Sequence, residues 1–517
     1  MHARVGADTG IDLMSNPDHG RNRRERLGVL DIGSNSIRLV VYDRAGRSPI
    51  PVFNEKALCG LGRGVTETGN LPVDGMASAV MNLDRFAQIA QAMRVRRLDV
   101  VATSAVRDAG NGPAFVTEVE RRLGHTVRVI GGDEEARLSA LGVLSGFVSV
   151  DGVVGDLGGG SLELIDVAER KLGAYATMPI GPLRIGTVDG SQRRRLSSMI
   201  DDHLNAASWL PGLGGRTLYA VGGALRSIAK AHMTSVGYPI EVIHGYTVER
   251  DVLSAFLLDL ANLSNKAIRA APGVSRRRAD TLPGAALVLQ RILVRGAPKR
   301  VVFSAFGLRE GCLYDQLPDH ERDTDPLMVA SAMIARETSR FAPNPGTVFT
   351  WLAPLFPTLT PRDERLVRAL CMLSDIAWSE HPSYRGEHAF LRVLRLAVGG
   401  LEHADRVFLG IGVLVRYAGH TDLAAADAVR ALLSPERRDL AIRVGHALRL
   451  GLTLSGGTTN LLRRTRFQTT PEAFALSLTP DAMALIGDVV ERRVKALAAA
   501  LGRPVVITTR RRGRRDG

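Results

Sequence analysis

Two nine-residue stretches of this chain can be laid over one another without a gap: Asp31-Ile-Gly-Ser-Asn-Ser-Ile-Arg-Leu39 and Asp156-Leu-Gly-Gly-Gly-Ser-Leu-Glu-Leu164. Asp, Gly, Ser and Leu coincide, and two further positions are aliphatic in both. Each copy lies between apolar runs, so each predicts a strand, a glycine turn and a second strand. Two such hairpins about 125 residues apart imply a duplicated unit. The expected fold class is therefore α/β, with two duplicated domains facing each other across a cleft.

The rest of the pattern fills in that frame. Strands are expected at 27–31, 37–42, 98–102, 127–130, 217–221 and 300–303, and helices at 74–93, 114–123 and 136–144. Pro318, Asp319, Asp323 and Pro326 mark a boundary, after which periodicity is helical, over 366–378, 389–398, 440–448 and 483–501. A short strand at 504–508 is expected to close this module. The domains are thus placed at 27–138, 139–317 and 325–509. Residues 1–26 lack periodicity and are expected to be disordered, and 510–517 to form a basic tail.

At 517 residues, two or three cores are expected. The formal net charge of +14 points to an anionic partner, although the arginines at 510–515 supply part of it as a solvated cluster. Aromatic residues make up only 5% of the chain, which argues against single-strand nucleic-acid binding by base stacking, so no specific nucleic-acid partner is expected. Three scattered cysteines (Cys59, Cys312, Cys371) read as reduced and structural. No apolar run spans a bilayer and no secretory h-region opens the chain, so no membrane partner is expected and the cytoplasm is the expected location.

A glycine turn behind an aspartate suits phosphate chemistry. Gly158, Gly159 and Gly160 let backbone N–H groups converge on phosphate oxygens, and Ser161 adds a hydroxyl. Gly33, Ser34, Asn35 and Ser36 offer the same in the first copy. Asp156 and its counterpart Asp31 are hard-oxygen candidates for Mg²⁺, with Glu163 on the same strand face as Ser161. The copies differ at one place: Arg38, a cation for phosphate, stands where the second copy has Glu163, an anion for metal or water. Three further junctions place Arg107, the pair Gly222 and Gly223, and Arg309 at strand ends, all candidate phosphate contacts. In Gly131-Gly-Asp-Glu-Glu-Ala136, spacing alone leaves Glu135 open: a helix-dipole acid or a base for water.

The stretches DIGSNSIRLVVYD, ATSAVRDAGN, GGDEEARLSALGV, DLGGGSLEL, VGGALRSIA, HGY, RRRADTLPGA and FSAFGLREGCLY run in order from 27 to about 315. In these the chain resembles the exopolyphosphatase/guanosine pentaphosphate phosphohydrolase family. The resemblance implies two actin-like ATPase-type domains with the active site between them, and hydrolysis of terminal phosphate from inorganic polyphosphate. It assigns Glu135 as the catalytic base, Glu163 and Asp156 as the acidic metal and water site, and Arg107 as a phosphate ligand. Mg²⁺ is the implied cofactor and a homodimer the implied assembly. Guanosine pentaphosphate or tetraphosphate is an alternative ligand, and a polyphosphate- or alarmone-binding regulator with little turnover an alternative role. A sugar kinase is disfavoured by the Glu-Glu-Ala motif. Leu162 and Ala224 replace hydroxyl residues usual in the family, which leaves binding strength and chain-length preference open. The helical module resembles an HD-phosphohydrolase-like domain without its metal dyad: the matching position reads Leu373-Ser-Asp-Ile376, with no histidine. His381, His388, His403 and His420 are expected to be surface or satisfied core residues.

Overall fold

The computed structural model describes residues 25–509, apart from 187, 189–191, 264, 271–272, 275–278 and 341–343. Of the segment 1–26 expected to be disordered, residues 1–24 lie outside the described residues, as do the basic tail at 510–517 and the arginines at 276–278.

The duplication is present in the sheets. The first has the order β3-β2-β1-β4-β5, built from Leu27–Ile32 (β1), Ser36–Tyr42 (β2), Pro51–Leu58 (β3), Arg97–Ala102 (β4) and Val127–Val129 (β5). The second contains Gly152–Leu157 (β6), Leu162–Ala168 (β7), Lys171–Met178 (β8), Thr217–Val221 (β9), Tyr246–Glu249 (β10) and Arg300–Phe303 (β11). Its order is β10-β11-β9-β6-β7-β8, the same path with one added antiparallel edge strand. In both sheets the first two strands are an antiparallel hairpin, and the leading strand also runs parallel to the next crossover strand. The register repeats to the residue: Asp31 faces Arg38, and Asp156 faces Glu163. Each turn closes on the same bond, Gly33 N–H to Ser36 O at 3.1 Å and Gly158 N–H to Ser161 O at 3.0 Å.

Between the sheets lies a shared apolar layer that includes Val29, Val40 and Val101 from the first and Val154, Val221 and Val302 from the second. Two helices, Gly132–Gly146 and Leu308–Tyr314, cross within it. Their approach requires glycine: a Cβ on Gly142 would meet Gly307 O at 2.0 Å, and one on Gly311 would meet Leu138 O at 1.8 Å. Helix Gly132–Gly146 runs unbroken through the expected domain change-over at 138/139. It also begins four residues earlier than periodicity suggested, so Glu135 stands in its first turn. Thr103–Ala109, expected as a turn, contains a short helix, Ser104–Asp108.

Beyond the linker, residues 326–501 are mainly helical around a separate core. Four helices start with the same chemistry, a side-chain N-cap followed by proline: Asp325-Pro326, Asn344-Pro345, Thr360-Pro361 and Ser434-Pro435. The cap oxygen accepts an orphan N–H, and proline's fixed φ suits the first turn. The module is not all-α, however. Thr465–Thr469 (β12), Phe474–Leu478 (β13) and Val505–Thr509 (β14) form a three-stranded sheet. β14 is the expected closing strand, and it pairs in parallel with β13, which periodicity had not separated from the helices. The helix expected at 483–501 starts only at Asp488, because extended Gly487 interrupts it. The helix expected at 366–378 is Pro361–Leu373, which leaves Asp375 in the turn after it.

Candidate active site

The two glycine hairpins meet at the mouth of a cleft of about 150 Å³ between the duplicated sheets. Its walls include Asp31, Gly33, Ser34, Asn35, Ser36 and Arg38 from the first hairpin, and Asp156, Gly158 and Gly159 from the second. Glu135, Gly222, Gly223, Ala224 and Arg309 complete the expected residues on its surface. Four expected residues do not line it. Gly160 packs where a Cβ would lie 3.0 Å from Ser104 Oγ. Ser161 and Glu163 are beneath the floor, Glu163 at 1% exposure. Arg107 is set behind Glu135, with its Nη1 3.6 Å from Glu135 Oε2.

Three acids open helix Gly132–Gly146, and the fold gives them different environments. Asp133 is exposed, Glu134 is bound by Arg137 at 2.7 Å, and Glu135 is turned inward at 7% exposure. Glu135 Oε2 is buried without a hydrogen-bond partner. Burial pushes the Glu135 carboxyl well above the usual range, and the charges of Glu163 and Asp156 push the same way, while Arg107 opposes them. An acid that only balanced a helix dipole would face water. This one faces the cleft.

Asp156 is held by the hydroxyl of Ser139, one helical turn after Glu135, so one helix sets both carboxylates. Burial raises its pKa, against the Ser139 bond and the Arg226 charge. Glu163 accepts a hydrogen bond from Thr177 at 3.2 Å through Oε1, and its Oε2 is buried and unpartnered. Burial, followed by the Asp156 charge, brings its pKa up to about 8. Asp31, expected among the metal ligands, instead accepts a 2.8 Å bond from Arg309. The protein therefore supplies that carboxylate with its own cation.

No group of three or more His, Cys, Asp or Glu converges to hold a metal ion among the described residues. Mg²⁺ seldom needs such a cage, since it keeps several waters and takes one or two carboxylates plus substrate phosphate. Asp156 on the cleft wall, with the orphaned oxygen of Glu163 beneath it, fits that donor set.

On the phosphate side, Arg38 donates to Asn54 at 2.8 Å and is depressed by burial and by neighbouring Arg309, so two guanidiniums crowd one wall. Lys56, paired across the sheet with Arg38, joins them on the cleft surface. Lys56 gave no sequence signal, because β3 alternates exposed and half-buried residues like a surface loop. Arg226 stood in a glycine turn already singled out, and Ser139 is found by counting four from Glu135. Gly222 has φ 107°, and a Cβ there would meet Leu157 O at 2.4 Å. Of the two unusual residues, Leu162 is buried in the apolar core of the second lobe, whereas Ala224 does line the cleft.

In the helical module, Asp375 is clasped by Arg340 at 3.2 Å and Arg416 at 3.0 Å. His403 is buried and bonded to the Tyr238 hydroxyl at 2.8 Å, while His381, His388 and His420 are exposed. The three cysteines are free and buried. Among the described residues no helix is long and apolar enough to cross a membrane.

Comparison with known proteins gives a consistent picture. The family model described as Ppx/GppA phosphatase family matches residues 40–320, and that described as exopolyphosphatase, C-terminal, matches 351–507. Retrograde regulation protein 2 of Saccharomyces cerevisiae is 29% identical over 450 residues, 77% of this chain and 73% of the yeast protein. Exopolyphosphatase 1 of Mycobacterium tuberculosis is 29% identical over 325 residues, 60% of this chain and 92% of its own. Among solved structures, an exopolyphosphatase from Cytophaga hutchinsonii aligns with a TM-score of 0.52 at 24% identity, covering 56% of this chain and 97% of its own. An exopolyphosphatase-like protein aligns over the same shares with a TM-score of 0.51 at 25% identity. The solved structures share the fold of the two α/β lobes, and the C-terminal family model covers the helical module that follows.

Proposed function

Because the chain belongs to the Ppx/GppA phosphatase family, we propose that it is an exopolyphosphatase that releases terminal orthophosphate from inorganic polyphosphate. The observation that carries this reading is the buried, unpartnered carboxylate oxygen of Glu135 in a cleft walled by Arg38, Arg309 and two glycine hairpins. The hairpin amides and the guanidiniums hold the equatorial oxygens of the terminal phosphoryl group. Glu135 takes the proton from a water as its oxygen bonds to phosphorus, and the bridging P–O bond breaks on the far side. Mg²⁺, bound at Asp156 with Glu163 behind it, would supply positive charge to the phosphoryl oxygens. Arg107 favours the ionised form of Glu135 against the burial and the neighbouring carboxylates that oppose it.

The test is phosphate release from long-chain polyphosphate and, in parallel, from guanosine pentaphosphate, both with Mg²⁺. Release from polyphosphate at the higher kcat/KM supports the reading. Release from the nucleotide alone would move the assignment to a guanosine pentaphosphate 5′-phosphohydrolase.

A regulator with little turnover is the second reading, and one observation favours it. The relative named for retrograde regulation aligns over a larger share of this chain than the exopolyphosphatase does. Polyphosphate binding without release from either substrate would support it. A cytoplasmic homodimer remains the expected setting, to be checked by light scattering and fractionation.

A further inference from the structure

Two helical turns hydrogen-bonded to the hairpins carry an ion pair that joins the lobes. Leu183 N–H donates to Gly159 O at 2.9 Å and Gly181 N–H to Gly160 O at 3.2 Å. The helical turn Pro182–Ile185 is therefore mounted on the second hairpin, and Arg184 moves with it. Thr103 N–H donates to Ile32 O at 3.2 Å, and the Ser104 and Ser34 hydroxyls share a 3.0 Å bond. The helix Ser104–Asp108 is likewise mounted on the first hairpin, and Asp108 ends it. Arg184 donates through Nη2 to Asp108 Oδ2. The other carboxylate oxygen, Oδ1, accepts from Arg107 Nε at 3.1 Å. Arg107 Nη1 faces Glu135 and donates to Ile130 O at 3.0 Å.

We propose that Arg184 and Asp108 are positioning residues that clasp the two lobes over the substrate and thereby hold Arg107 against Glu135. The role given to Glu135 rests on the function proposed above; the clasp itself rests on the hairpin geometry. Among the described residues, Asp108 is the one hydrogen-bonded to both arginines, so closure and the aim of Arg107 are one event. When the lobes part, Asp108 loses Arg184 and is free to turn away with Arg107.

The strength of the pair fits a clasp rather than a weld. The Arg184 and Asp108 side chains are 23% and 35% exposed. A pair this wet shifts an open–closed equilibrium by a factor of about five at most. Substrate can enter and phosphate can leave without breaking a buried charge pair. Screening by salt weakens it further.

The experiment uses the full chain with Mg²⁺ and polyphosphate. Arg184→Gln and Asp108→Asn are each expected to lower kcat by up to about fivefold, the most that losing so exposed a pair can shift closure. The loss falls on kcat because a misaimed charge costs more in the transition state than in binding. KM should change by less than about threefold. Arg184→Lys, which keeps the charge, should recover most of kcat. The Asp108→Asn/Arg184→Gln double variant should be no worse than either single one. Spin labels at Met81→Cys and Val252→Cys, exposed positions on the first and second lobes, read closure directly. The distance distribution should broaden toward longer values in Arg184→Gln and Asp108→Asn, but not in Glu135→Gln. A raised KM at unchanged kcat would make Arg184 a direct phosphate contact and overturn the clasp. Additive losses, or an unaltered distance distribution, would do the same. If Glu135→Gln keeps full turnover, the base assignment fails, and the label distances still decide the clasp.

Discussion

Arg107 and Glu135 stand 3.6 Å apart between Nη1 and Oε2, and that oxygen of Glu135 has no hydrogen-bond donor. A cation near a buried carboxylate, yet too far to hydrogen-bond it, favours the ionised form while leaving the oxygen free to accept a proton. The two residues belong to different segments, brought together where Arg107 donates to Ile130 O, just ahead of helix Gly132–Gly146.

Replacing Glu135 with glutamine keeps the shape and removes the basicity. Phosphate release should fall by about 10²–10⁴-fold, the usual contribution of a general base. Binding of polyphosphate, followed by filter retention or calorimetry, should persist. Turnover within a few-fold of the parent would remove Glu135 as the base.

Arg107→Gln takes away the charge that lowers the Glu135 pKa against burial, Glu163 and Asp156. The base works only when ionised, so the rising acid limb of kcat should move to higher pH. A pH–rate profile at saturating polyphosphate checks this, and an unmoved limb would mean that Arg107 acts on substrate alone.

Glu163 is buried with a pKa of about 8 against a usual 4.5. The native state thus binds the proton more tightly than the unfolded chain does. Its favourable contribution is complete below about pH 4.5 and is lost as pH rises toward about 8, with a slope near 1.4 kcal/mol per pH unit. Glu163→Gln should therefore be more stable than the parent at pH 8 in chelator, with the gap closing near pH 5. Urea unfolding at both pH values measures it.

Asp375→Asn should destabilise the helical module by about 3–5 kcal/mol, because Arg416 is buried and would lose its carboxylate. Replacing Asp375 and Arg416 together by apolar residues should cost less. Denaturant unfolding of the full chain, followed through Trp378, on which Arg340 stacks at 3.4 Å, reports the difference.

Much of this architecture was legible in local chemistry. The repeated Asp-x-Gly-x-x-Ser hairpins announced two α/β units, since strand–turn–strand patterning needs only neighbours in sequence to be recognised. The N-cap and proline pairs at 360–361 and 434–435 were equally local signals, yet hydrophobic periodicity placed those helix starts five residues later, at 366 and 440. Other strands were harder: β3 carries polar residues on both faces, and β13, buried throughout and apolar but for Ser477, shows no alternation. Such segments become strands only because a partner is there to pair with them.

The sequence by itself determined the duplication, the two glycine turns and the residue types available to bind phosphate. Its spacing left Glu135 open between a helix-dipole acid and a base, and only the family resemblance pointed to the base. Only tertiary structure decided that Asp133 meets water, Glu134 meets Arg137, and Glu135 meets the cleft with Arg107 behind it. The physical reason is that a carboxylate's chemistry depends on its burial and on the charges around it. Those surroundings are assembled from segments far apart along the chain.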